Sequence, residues 1–247
     1  MDRYKSTKKA SILGIIGNVF LLIIKGMIGF MTNSQAMIAD SVNSAGDIFS
    51  SSMTFIGNKI ASKPSDESHN LGHGKAEYIF SLLISLSMIF VAIKLLLDSI
   101  QSLKNPEGYT FSWMLIVVCI VTIATKLGLY IYTHSLSKKH NNLLIEANAN
   151  DHRNDCVITS FNLIAALLSL KHILWFDGFV GIGISLWICY TGIKIFIESY
   201  NVLMDKSINK EDKDKVLAII DRHPEVKKIQ HFNSTPVGYK YQISFTI

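Results

Sequence analysis

The sequence predicts an all-α membrane domain of six transmembrane helices over residues 1–204, followed by a partial α+β ferredoxin-like cytoplasmic domain over residues 205–247. Apolar residues make up 49% of the chain and charged residues 17%, below the roughly 25% charged in ordinary soluble domains. The charges also gather into short Lys-rich and His-rich segments, separated by long stretches almost free of them. A dense charged run from Lys206 to Lys228 then breaks that pattern, as a water-exposed piece would.

Windows of about 20 residues, the length that crosses a bilayer, place spans near 11–31, 36–60, 77–103, 111–135, 143–168 and 174–198. The first is too long in its apolar run, and lacks a small-x-small closing pattern, to be a cleaved signal peptide. Spans one, three, four and six are strongly apolar. Spans two and five are rich in Ser, Asn, Ala and Asp, so their polar faces must be buried against protein or water. Glycines on spans one and six allow close helix approach. Trp113 and Trp175 suit an interfacial aromatic belt. Cys119, Cys156 and Cys189 lie inside spans without paired spacing and read as packing residues.

After the sixth span, residues 208–223 have helix character, with Asn209 as N-cap and Pro224 as terminator. Residues 226–233 and 239–247 read as strands, the second alternating as Tyr239, Tyr241, Ile243, Phe245 and Ile247. One helix and two strands are about half of a ferredoxin-like domain. The sequence stops inside a strand, so the domain is expected to continue past it.

Lys and Arg set the orientation. Arg3, Lys5, Lys8, Lys9, Lys59, Lys63, Lys75, Lys138, Lys139 and the 206–228 run fall on one side, against Lys104 and Lys171 on the other. Both termini are therefore expected in the cytoplasm, on a multi-pass protein of the cell membrane. The net charge of +5 follows from this bias. No basic groove with interleaved aromatics points to nucleic acid.

Within this apolar frame, Asn43-x-x-x-Asp47 and Asp151-x-x-x-Asp155 carry the chemistry. A carboxylate at bilayer depth costs a few kcal/mol or more and marks a wet cavity, a proton path or an ion site. Spacing of four puts each pair on one helix face, so each helix can offer two oxygen ligands to one ion. Asp40, three residues before Asn43, and Asp177, beside Gly178, are weighed as structural hydrogen-bonding groups ahead of a relay role.

These residues resemble the cation diffusion facilitators, which export divalent metal ions from the cytoplasm in exchange for protons. The resemblance runs over the whole chain. It rests on six spans with cytoplasmic ends, the stretch Ala39-Asp40-Ser41-Val42-Asn43-Ser44-Ala45-Gly46-Asp47, the loop Gly72-His73-Gly74-Lys75-Ala76-Glu77, and Asp151-His152-Arg153-Asn154-Asp155. It implies a transport site of Asn43, Asp47, Asp151 and Asp155. Zinc-exporting members carry a His where Asp151 stands and a carboxylate where Asn43 stands. His152 is one position late and about 100° around the helix.

An all-oxygen site is hard and suits Mn²⁺, whereas imidazole suits Zn²⁺. The set also looks like that of manganese-exporting members, so Mn²⁺ is the expected substrate, with Zn²⁺, Fe²⁺ or Co²⁺ as alternatives. The metal is cargo, and no cofactor is expected. Asp47, Asp151 and Asp155 crowd negative charge together, so the resemblance and the chemistry both imply an antiporter whose empty site takes up protons. Asp66, His69 and His73 match a second metal site of zinc-type members, against a reading as a solvated polar loop. Lys75 and Asp205 match an ion pair tying the bundle to the cytoplasmic domain. His231 aligns with a cytoplasmic metal ligand whose later partners are missing here. A homodimer is implied by the resemblance alone. Two rivals are a membrane-embedded metal-dependent enzyme, whose motifs are absent, and a channel, which would conduct without proton coupling.

Overall fold

A computed structural model of the chain describes residues 2–32, 35–104, 113–169, 175–223, 226 and 229–246. Within them lie six long helices, α1 (Asp2–Thr32), α2 (Gln35–Ala61), α3 (Ala76–Lys104), α4 (Trp113–His140), α5 (Leu143–Ser169) and α6 (Trp175–Leu203). A short helix, α7 (Lys210–Ile220), and two strands, β1 (His231–Val237) and β2 (Lys240–Thr246), follow. Helix α1 packs along α2, α3 along α6 and α4 along α5, and the pairs join through contacts of α2 and α3 with α5 and of α1 with α4.

The bundle is polar within and apolar without. Helix α1 buries Thr7, Ser11 and Asn18 while exposing Ile16, Phe20, Ile23 and Met27, which is the pattern expected where lipid is the solvent and polar groups must be satisfied internally. Four helices, α1, α3, α4 and α6, are long and apolar enough to cross a membrane. Helices α2 and α5, at 27 residues each, are only slightly shorter but pack polar residues against their neighbours. Asn18 Nδ2 donates to the Asp47 carbonyl at 2.9 Å and to Ser51 Oγ at 3.2 Å, and Asn148 Nδ2 donates to Ser51 Oγ at 3.4 Å. Apolar packing closes around this seam through Ile84, Met88, Leu144 and Ile195.

The helices overrun the expected spans. Helix α1 begins at Asp2, α4 reaches His140 and α6 reaches Leu203, because hydropathy stops at the first cluster of lysines whereas backbone hydrogen bonding does not. The extra turns meet at one end of the bundle. There Arg3 Nη2 donates to Glu77 Oε1 at 2.7 Å and its Nε donates to the His140 carbonyl at 3.2 Å. The same guanidinium lies 4.3 Å from the centre of the Tyr239 ring. Asn141, at φ 46°, turns the chain sharply after α4, and Asn142 Oδ1 accepts from Ile145 N at 3.0 Å to cap α5. Glycine permits close approach at Gly14, where a Cβ would lie 2.7 Å from Ser51 Oγ, but Gly183 faces nothing within 4 Å.

Helix α7 starts at its expected N-cap, with Asn209 Oδ1 accepting from Asp212 N at 2.8 Å. It is shorter than expected because its last apolar residue, Ile220, is followed by a turn at Asp221 and Arg222. The first strand is displaced from the expected 226–233 to His231–Val237. Its register with β2 pairs Pro236 with Tyr241 and Val237 with Lys240, leaving a two-residue turn at Gly238 and Tyr239. Gly238 takes φ +62°, the left-handed conformation such a tight turn needs. Turn geometry thus fixes the register and pulls the strand toward the glycine. The alternating face of β2 stays largely open, with Tyr241 and Phe245 exposed.

Candidate metal centre

Spacing of four on two neighbouring helices aims three carboxylates at one point. Asp47 from α2 and Asp151 and Asp155 from α5 each offer an oxygen, and these atoms lie within 4.8 Å of one another. A cation with metal–oxygen bonds of about 2.0–2.6 Å needs ligand oxygens no farther apart than about 4–5 Å. Beside them is a cavity of about 30 Å³, walled by Asn154 and the three aspartates and closed by Met88 from α3 and Ile188 from α6. Asp151 Oδ2 is buried with no hydrogen-bond partner among the described residues. A bare buried carboxylate oxygen is costly, and a cation would relieve it.

Asn43 lies one turn before Asp47 on α2. Its side chain, like those of Asp40 and Asp177, lies outside the described residues.

His152 does not turn toward the three carboxylates. Its ring is fully buried beside α1, where a Cβ on Gly14 would lie 3.4 Å from Nε2, and both ring nitrogens lack hydrogen-bond partners among the described residues.

One residue of the centre escaped sequence reasoning. Lys126 of α4 is 1% exposed, and its Nζ sits 2.6 Å from Asp47 Oδ2 and 2.6 Å from Asp155 Oδ2. The signal was available, since a lysine in the otherwise apolar 111–135 span is rarely without a function or a charged partner.

The loop between α2 and α3 gathers a second group. Asp66, His69 and His73 have ligand atoms within 4.8 Å of one another. His69 Nδ1 lies 3.2 Å from Asp66 Oδ1, and His73 Nε2 lies 3.3 Å from Asp66 Oδ2. The other ring nitrogen of His73, Nδ1, is 3.1 Å from the Pro64 carbonyl, which can only accept. That contact assigns a hydrogen to Nδ1 and, in the neutral ring, turns the Nε2 lone pair toward Asp66. The backbone N–H of His69 holds the Asp66 carboxyl below the usual carboxylate range, helped by the His69 ring and the Ser68 N–H.

Lys75 Nζ lies 2.6 Å from Asp205 Oδ1, and both side chains are substantially exposed, so the pair by itself contributes about 0–1 kcal/mol. His231 is exposed at the first position of β1 and belongs to no group of three possible ligands among the described residues.

The family model described as the cation efflux transmembrane domain matches residues 11–204. The chain belongs to the cation efflux family. It is 27% identical to the manganese efflux system protein MneP of Bacillus subtilis, over 96% of this chain and 82% of that protein. With MneS, a manganese efflux system protein of the same organism, it shares 31% identity over 83% of this chain and 72% of the relative. The magnetosome protein MamM of Magnetospirillum gryphiswaldense is 28% identical over 92% and 72%. This chain is accordingly a membrane transporter of metal cations rather than an enzyme.

Proposed function

We propose that this protein exports Mn²⁺ from the cytoplasm in exchange for protons, by alternating access at Asn43, Asp47, Asp151 and Asp155. The observation that carries the proposal is the clustering of three carboxylates with no histidine in the group, the ring of the adjacent His152 lying beside α1 instead. Oxygen donors without imidazole favour a hard ion over Zn²⁺. Two relatives bearing the words manganese efflux add support from outside the chemistry. Fe²⁺, Co²⁺ and Zn²⁺ remain the competing cargoes, because most sites bind them more tightly than Mn²⁺.

Metal arriving from the cytoplasm neutralises the crowded carboxylates. After its release on the far side, protons taken up there relieve their repulsion, and Asp47, Asp151 and Asp155 carry those protons back. In this proposal all six long helices cross the bilayer over residues 1–204, α2 and α5 being shielded by the other four, and both termini are cytoplasmic. Residues 205–247 form part of a ferredoxin-like domain, the Lys75–Asp205 pair links it to the bundle, and the protein works as a homodimer. The lone-pair direction of His73 favours a further, softer metal place at Asp66, His69 and His73.

The decisive experiment is metal sensitivity in cells lacking their own exporters, together with flux in vesicles containing the purified protein. Rescue from Mn²⁺ but not Zn²⁺, lost in Asp155→Ala, is the expected outcome. Mn²⁺ movement without accompanying proton flux would refute the coupling, and flux that does not saturate would favour a channel.

A further inference from the structure

We propose, resting on the transport site above, that the ammonium of Lys126 is a tethered competitor for the metal. It occupies Asp47 and Asp155 when metal is out and must step aside when metal binds.

Three observations converge on this. The ammonium is within 2.6 Å of one oxygen of Asp47 and one of Asp155, two of the three carboxylates that cluster for a metal. An ion drawn to those oxygens meets the positive charge of Nζ already seated on them, so the two cations repel and compete for the same carboxylates. The third carboxylate keeps one oxygen bare, since Asp151 Oδ2 has no hydrogen-bond partner among the described residues. It offers a first foothold for an arriving ion before the ammonium has moved. Finally, Thr122 lies one turn before Lys126 on α4, hence on the same helix face. Its hydroxyl Oγ1 is buried and also lacks a partner among the described residues. A lysine's four-carbon stem is flexible and its three donors rotate freely, so the displaced ammonium has an acceptor within its own helix.

The charges match this exchange. Once the carboxylates have shed the protons of the return leg, three carboxylates and one ammonium leave a formal charge of −2 (three negative, one positive), which a divalent ion cancels and a monovalent ion does not. Entry of metal pushes the ammonium off two oxygens, and its return helps to push the metal out. No proton need move for this step. Lys126 therefore sets affinity and release, holding the site weak enough to let its cargo go.

The alternative is that Lys126 is a permanent pin, staying between α2 and α5 whether or not metal is bound. Calorimetric Mn²⁺ binding to the purified full chain, with efflux from vesicles, separates the two. Lys126→Met removes the competitor and should tighten Mn²⁺ binding about tenfold or more while slowing efflux at saturating Mn²⁺. Unchanged or weaker binding overturns the proposal. Lys126→Arg replaces a mobile ammonium by a planar fork suited to gripping two carboxylates, and should weaken Mn²⁺ binding about tenfold. If Lys126→Met does not fold, Lys126→Arg decides alone, and equal or tighter binding in it overturns the proposal. Asp47→Asn serves as the control on the site. Loss of binding there with no tightening in Lys126→Met sinks only the role of the lysine, whereas unaffected binding in Asp47→Asn sinks the transport site itself.

Discussion

Replacing Asp47 by Asn removes one charge from the centre and almost nothing else, because the side chains have the same shape and the amide oxygen can still accept from Lys126. Lys126 keeps its second partner, Asp155, at 2.6 Å, so the ammonium remains placed and the fold should persist. Two unit charges about 4 Å apart, at an effective dielectric near 20, interact by about 4 kcal/mol. Asp47 thus attracts a divalent ion by about 8 kcal/mol and the ammonium that the ion replaces by about 4 kcal/mol. The net loss is about 4 kcal/mol, on the order of a thousandfold weaker Mn²⁺ affinity. Titration calorimetry on purified Asp47→Asn protein measures this directly, and Mn²⁺-quenched fluorescence in vesicles follows the loss of efflux. An affinity within about tenfold of the natural protein would mean that Asp47 does not ligate the ion, since so small a change is no more than an exposed charge contributes.

Asp151→His should exchange one oxygen donor for an imidazole and shift the protein toward Zn²⁺; growth on graded Zn²⁺ and Mn²⁺ should show zinc resistance gained and manganese resistance lost, and unchanged preference would argue against Asp151 as a ligand. Arg3→Met strands the buried Glu77 carboxylate, a change that costs about 3–5 kcal/mol. Thermal unfolding in detergent should therefore drop clearly for Arg3→Met and recover much of the loss in the Arg3→Met, Glu77→Met double variant. Asp66→Asn should remove one Zn²⁺ equivalent from binding titrations while leaving Mn²⁺ efflux largely intact; loss of efflux would move that loop into the transport path. Because folding lowers the Asp66 carboxyl, its hydrogen bonds to the Ser68 and His69 amides stabilise the loop at neutral pH and are lost only as pH falls below the ordinary Asp value of about 3.9. Protection of the His69 amide, taken relative to its intrinsic exchange rate at each pH, should hold at pH 7 and fall in strong acid, and a loss of protection near neutrality would contradict this assignment.

Two kinds of physical signal were open to reading along the chain. The first was cost: Asp47, Asp151 and Asp155 stand out because carboxylates are expensive in apolar segments, and the apolar runs of α1, α3, α4 and α6 stand out because lipid rewards them. The second was period, since spacing of four makes each pair share a face of its helix. Lys126 carries the same cost signal, but its partners lie 79 and 29 residues away and no local pattern connects them. The helix ends differ from the hydropathy spans where hydropathy and hydrogen bonding part company, at Asp2, His140 and Leu203. The first strand was misplaced because its register comes from the turn at Gly238, a two-body property of the hairpin.

What the amino-acid order determines by itself is therefore the class of molecule and the chemistry on offer: long apolar helices, a charged appendage, and hard oxygen donors at helical spacing. Tertiary structure alone decides which of those donors meet, which oxygens are left bare, and which cation stands between them. The reason is range. Hydropathy and helical period act over a few residues, whereas a charge buried in a low-dielectric interior is governed by whatever packing brings within a few ångströms of it.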